Sequence, residues 1–193
     1  MTHARRVATL VGVAILVSAA TGCSATSENP DAEVATGDAL NLGAEEGSIC
    51  MPTPGEDDLV YGDTLLHHEA QGPVTISDVS LVGAVGMVLR DAYLVHVRPG
   101  EDLVGFRRAS DESGLPRAWG QRVDAVGSVV GQGEVWNLVL VVASPTVATA
   151  SAEAASVRYE YDGEQFQQRT RTKMITTTGS CDEALGFTDV DTS

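Results

Sequence analysis

The stretch Val157-Arg158-Tyr159-Glu160-Tyr161-Asp162-Gly163-Glu164-Gln165-Phe166-Gln167-Gln168 alternates strictly up to its Asp-Gly pair. Val157, Tyr159 and Tyr161 share one side and Arg158 and Glu160 the other, the period of two that a half-buried strand requires. A two-residue hairpin loop needs positive φ, which glycine supplies without a Cβ clash, so Asp162-Gly163 predicts a tight turn into a second strand from Glu164.

Working outward, the same period recurs. Val74, Ile76 and Asp78 share a parity in PVTISDV, and Tyr93, Val95 and Val97 share one in DAYLVHV, with Leu94 and His96 opposite. The run Val135 to Ser144, VWNLVLVVAS, is apolar on both parities after Asn137 and β-branched, which predicts a central strand covered on both faces. No long amphipathic helix shows between Cys50 and Cys181, and short strands separated by turn residues without alternating helices predict an all-β fold, an antiparallel sandwich. Its immunoglobulin-like version is expected as an architecture only, because the cysteines flank the domain instead of facing each other around a tryptophan.

At the start of the chain, Arg5 and Arg6 precede an apolar run from Val7 to Ala20, followed by Thr21, Gly22 and Cys23. This almost wholly apolar run of fourteen residues is too short to span about 30 Å of hydrocarbon, which takes roughly 20 in a helix, and polar Ser24, Thr26, Ser27 and Glu28 follow. The order of charged, apolar and small residues is that of a secretory signal. Ala20-Thr21-Gly22-Cys23 resembles the bacterial lipoprotein signal, the lipobox, and composition adds a likeness to GC-rich Gram-positive bacteria: one lysine, Lys173, against eleven arginines, with much Ala, Val and Gly. The resemblance covers only about the first two dozen residues. It implies cleavage between Gly22 and Cys23, a diacylglyceryl group on the Cys23 thiol, acylation of the freed amine as a further option, and a location on the extracytoplasmic face of the cell membrane. Arg5-Arg6 also opens a twin-arginine reading, which Val7, Ala8 and Thr9 do not support.

Three cysteines occur, Cys23, Cys50 and Cys181. An odd number in an exported protein calls for one with its own task. Lipidation takes Cys23 out of the count, and an oxidising compartment then lets Cys50 and Cys181 join; two separate buried thiols are the alternative. The absence of Cys-x-x-Cys removes a redox motif and a cysteine zinc site. The expected organisation is a signal peptide over 1–22, an acidic flexible tether over 23–49, one sandwich domain over 50–181 that folds alone from near Cys50, and an acidic tail over 182–193.

The chain carries 12 basic and 27 acidic side chains for a net charge of −15. Loss of Arg5 and Arg6 with the signal makes the mature protein more acidic still. Nucleic acid is thereby disfavoured as a partner, and so is electrostatic adhesion to anionic lipid, which leaves the acyl chains to hold the membrane.

Catalytic patterns fail one after another. His68-Glu69 lacks the second histidine of a zinc-protease helix, since Gly72 stands three after Glu69; Ser128 lacks the glycine spacing of a nucleophile elbow; Gly131-Gln132-Gly133 has no third glycine or following helix. The expectation is a protein without cofactor or catalysis, with an envelope enzyme lacking any recognisable motif as an alternative. Two binding classes remain. One is an interaction module for a protein or cell-envelope partner, whose candidate loop runs from Arg107 to Gly120 with Arg107, Arg108, Arg117 and Trp119 as anchors; the bland counterpart is a core Trp119 and arginines that balance nearby acids. The other is metal handling by His96 with His67 or His68, of which only one shares a face with His96 because neighbours on a strand point apart; the bland counterpart is polar edge histidines.

Overall fold

In the computed structural model, residues 35–36, 39–43, 46–52, 57–111, 113, 115–143 and 148–186 are described. The signal residues, the lipobox pair Gly22 and Cys23, and the tail from Phe187 onward lie outside them. Fourteen strands occur among the described residues: β1 (Ala35–Thr36), β2 (Leu40–Leu42), β3 (Gly47–Pro52), β4 (Leu59–His68), β5 (Val74–Val82), β6 (Val88–His96), β7 (Gly105–Arg108), β8 (Val123–Asp124), β9 (Val129–Val130), β10 (Val135–Ala143), β11 (Thr149–Ala152), β12 (Ala154–Tyr161), β13 (Glu164–Arg169) and β14 (Thr172–Thr177). A 3-10 turn (Arg117–Gln121) and a short helix α1 (Cys181–Leu185) complete them.

The Asp-Gly hairpin forms as expected. Asp162 has φ 52° and Gly163 φ 78°, the two positive values of a type I′ turn, and Tyr161 pairs with Glu164 across it. The hairpin is longer than its alternation suggests. Thr170 N–H donates to the Ala155 carbonyl and its hydroxyl accepts from the Ala155 N–H, both at 2.9 Å, so pairing continues past a kink into β11 and β14, from Ala152–Met174 out to Thr149–Thr177. Two sheets grow on this frame. One has the order β1-β13-β12-β5-β9, and the kinked part of the hairpin makes a three-stranded ladder, β11-β14-β3. The other is β2-β4-β10-β6-β8, with β7 also on β4. All pairings between strands are antiparallel except β1 on β13 and β3 on β14. The result is an all-β sandwich; the finer immunoglobulin-like expectation is not confirmed by this strand order.

One core cluster joins the layers, with Leu40, Leu66, Leu94 and Leu138 from one sheet, Val74, Ile76, Val157 and Tyr159 from the other, and Ala150 and Met174 from the third ladder. Full burial of each such aliphatic side chain stabilises by about 1.5–3 kcal/mol. Tyr61 reaches across the layers, its hydroxyl donating to the Ile175 carbonyl at 3.3 Å, and burial pushes its phenol well above the ordinary tyrosine range. β10 lies between β4 and β6 and is covered on both faces: Leu138, Leu140 and Val142 enter the main core, and Val139 enters a second cluster on the outer face.

Three expectations need correction. The tether does not reach Cys50, because Leu40 (0 % exposed) and Leu42 (4 %) are core residues and β3 already begins at Gly47. The acidic tail does not start at Asp182, since Ser180 caps α1 by accepting from the Asp182 N–H at 3.2 Å and Gly186 ends it at φ 80°. Asp78 does not share the buried side of Val74 and Ile76. The β5–β12 ladder shifts register between Ile76 and Asp78, and Val79 takes the inward position.

Cys50 and Cys181 form a disulfide with Cα atoms 5.6 Å apart, tying β3 to the first residue of α1. It closes a loop of 131 residues, a constraint on the unfolded chain of about 4–5 kcal/mol in the loop-entropy account.

Candidate functional site

The outer face of β4, β10 and β6 carries Val60, Val139 and Val95, and the chain between β6 and β8 folds over them. Val104 inserts at the centre with no exposure. Asn137, on the same face of β10 as Val139, fixes this point: its Oδ1 accepts from the Val104 N–H at 3.0 Å and its Nδ2 donates to the Thr64 carbonyl at 3.2 Å. A polar side chain buried to 1 % is thereby satisfied. Gly62 makes the approach possible, because a Cβ there would lie 2.7 Å from the Val104 Cβ.

The four anchors expected in this loop separate. Arg107 is a staple, donating from Nε at 3.0 Å and Nη2 at 2.6 Å to the Val104 carbonyl and from Nη1 at 3.0 Å to the Ser113 carbonyl. Its expected role as a contact residue is corrected: the guanidinium is spent on the loop's own backbone. Asp111, beside it, is held below the ordinary carboxylate range first by the Ser113 hydroxyl, then by the Ser113 N–H. Arg108 and Arg117 are exposed. Trp119 is half-buried, packed on the outer cluster and edge-on to Tyr93 with ring centroids 5.9 Å apart. Arg122, which sequence reasoning passed over, lays its guanidinium 4.4 Å from the Trp119 ring centre and 5.2 Å from that of Tyr93, while Nη1 donates to the Trp119 carbonyl at 3.2 Å. The spacing of three along a 3-10 turn was the available signal, since residues i and i+3 eclipse there. Together Tyr93, Trp119 and Arg122 make an aromatic platform capped by an exposed cation.

The histidines lie at one end of the inner face. His68, not His67, shares the parity of His96. His68 is 1 % exposed and directs Nδ1 to the Ala39 carbonyl at 2.8 Å and Nε2 to the Gly72 carbonyl at 2.5 Å. His96 is exposed and stands edge-on to Trp136, centroids 4.9 Å apart. Between these strands Glu134 accepts through Oε2 from the Gly131 N–H at 2.8 Å and the Trp136 indole at 3.1 Å. These bonds, the Gly131 one foremost, hold its carboxyl below the ordinary range, aided by His96 and His68. Among the described residues no group of three or more His, Cys, Asp or Glu is arranged to hold a metal ion. Both ring nitrogens of His68 face backbone carbonyl oxygens, an arrangement that does not favour metal ligation by this side chain. Ser128 turns its hydroxyl to the Asp124 carbonyl.

Compared with known proteins, the chain matches no family model and no curated protein.

Proposed function

We propose that the protein is an extracytoplasmic lipoprotein, anchored to the cell membrane through Cys23, whose β-sandwich is a non-catalytic binding module. The observation that carries the anchoring is the cysteine count: Cys50 and Cys181 are bonded to each other, which leaves Cys23 as the single remaining thiol, directly behind Ala20-Thr21-Gly22. A disulfide also suits an oxidising compartment. For binding, the support is the platform of Trp119, Tyr93 and Arg122, with exposed Arg117 on the same 3-10 turn as Trp119, because aromatic rings and arginine are the residue types that dominate recognition surfaces. The partner is a protein or a cell-envelope component, and no cofactor enters.

Cys23→Ser tests the anchor in the producing cell. The variant is expected in the medium or as an uncut precursor, and a variant still processed and held in the membrane fraction would overturn the lipid reading. Cross-linking of the anchored protein on intact cells tests the module: Arg117→Glu with Arg122→Glu should abolish the captured species, whereas unchanged capture would remove the platform from the interface.

A further inference from the structure

β5 pairs with β12 along most of its length, but on its other edge only Val74 and Thr75 have a strand partner, β9. The Val82 carbonyl accepts from the Glu153 N–H on the β12 side. By alternation along the strand, the backbone groups of Val79 and Leu81 therefore point to the open edge, where no described strand pairs with them. The strand order gives β4, β10, β12 and β14 neighbours on both sides. Beside this edge lies an open cleft of about 390 Å³ lined by Val79, Leu89, Ala92 and Val126, with Arg90, Asp91 and Asp124. Among the described residues, the exposed large hydrophobics include Val126, which lines the cleft, Val129 on β9, which pairs with Thr75 of β5, and Val123 on β8, with Val85 in the connection after β5 and Val88 at the start of β6. Protected edges carry lysine or proline, and Ser77 to Val82 has neither.

We infer that this edge accepts an extended segment of a partner protein as an added strand, one that alternates apolar with basic residues. The apolar positions match the apolar part of the cleft, Val79, Leu89, Ala92 and Val126. The basic positions follow from charge: among the described residues lining the cleft Asp91 and Asp124 stand with one cation, Arg90, and the Glu153 carboxylate lies beside Gly83, while Asp78 already faces Arg158 across the ladder. A second copy of this chain is the poorer occupant, since it brings a further net charge of −15 to an acidic rim. Strand addition draws affinity from main-chain bonds and selectivity from alternate side chains. The inference deepens the reading as a binding module, independently of the lipid, and places a contact apart from the Trp119 platform.

The probe is a synthetic six-residue peptide alternating valine and lysine, added to the full chain in detergent, with hydrogen exchange resolved to single amides. Exchange at Val79 and Leu81 should slow by about tenfold or more at saturation, the mark of a new ladder. Val126→Lys, a change at a half-exposed position, should weaken peptide binding about tenfold by adding a like charge to the rim. Unchanged exchange at these two amides, equal protection by a valine–glutamate peptide, protection that rises with protein concentration alone, or an unaffected Val126→Lys variant would each overturn the inference. If edge binding fails while the Arg117→Glu, Arg122→Glu pair still loses its cross-link, the module reading stands and only the strand-addition inference falls.

Discussion

Leu40 is the sharpest place to test how the sandwich begins. It sits in a stretch whose composition reads as tether, yet its side chain is fully buried against the main core, and β2 pairs it with His68. Leu40→Ala removes three buried carbons and leaves a cavity, a change that costs about 2–5 kcal/mol in cores. β2 is a three-residue strand at the sheet edge and can partly settle into the gap, so the expected loss is near the lower middle, about 3 kcal/mol. In a domain of this size that lowers the melting temperature by roughly 6–12 °C. Asn41→Ala, at an exposed position of the same strand, is the control and should stay within about 0.5 kcal/mol. Guanidinium unfolding followed by Trp119 and Trp136 fluorescence reads both, with the slope unchanged if the unfolded state is the same. A Leu40→Ala midpoint equal to that of Asn41→Ala would refute the seating of β2. The structure requires a chain started at Cys50 to lose Leu40, Leu42 and half of β3 and to be weaker than Leu40→Ala.

Replacing Cys50 and Cys181 together by serine should lower stability by up to about 4–5 kcal/mol, read as a shifted denaturant midpoint, and non-reduced unfolded protein should show neither of these thiols in a titration. Gly163→Val forces a β-branched residue to positive φ and should cost at least about 1–2 kcal/mol; an unchanged melting temperature would contradict the type I′ turn. Asn137→Leu orphans the Val104 N–H and should destabilise by about 1–3 kcal/mol, with the loosened loop exposing Trp119 to a fluorescence quencher. Glu134 has a depressed folded-state pKa, so its contribution is present above the ordinary glutamate range and is lost as pH falls through the lowered value. Glu134→Gln should therefore flatten the acid side of the stability profile, and a profile identical to that of the parent would show the Gly131 and Trp136 bonds to be unimportant.

What the sequence conveyed well is what repeats. VRYEY and VWNLVLVVAS have enough residues for a period to emerge, and the Asp-Gly turn has a conformational requirement that few residue pairs meet. β1, β2, β8 and β9 are two or three residues long, too short for any period, so Leu40 and Leu42 read as part of the polar segment around them. The register shift beyond Ile76 has no residue signature, so alternation alone puts Asp78 on the wrong side. Arginine at a loop position reads alike whether it meets a partner or its own backbone; Arg107 does the second because Val104 and Ser113 present carbonyls to it. His68 is governed by the carbonyls of Ala39, from a strand entry 29 residues away, and of Gly72, and backbone partners leave no trace in side-chain patterns.

The bond between β3 and α1 also sets how the molecule answers a pull from its N-terminal end. β1, β2 and the first residues of β3 can be peeled away one after another, because nothing covalent holds them to the sheets. At Cys50 the traction passes through sulfur to Cys181, and the segment between them, a sequence separation of 131, is bypassed, so that roughly 450 Å of contour length cannot be drawn out however hard the chain is stretched between its ends. Rupture under tension thus has a fixed stopping point, beyond which the β-layers carry no load.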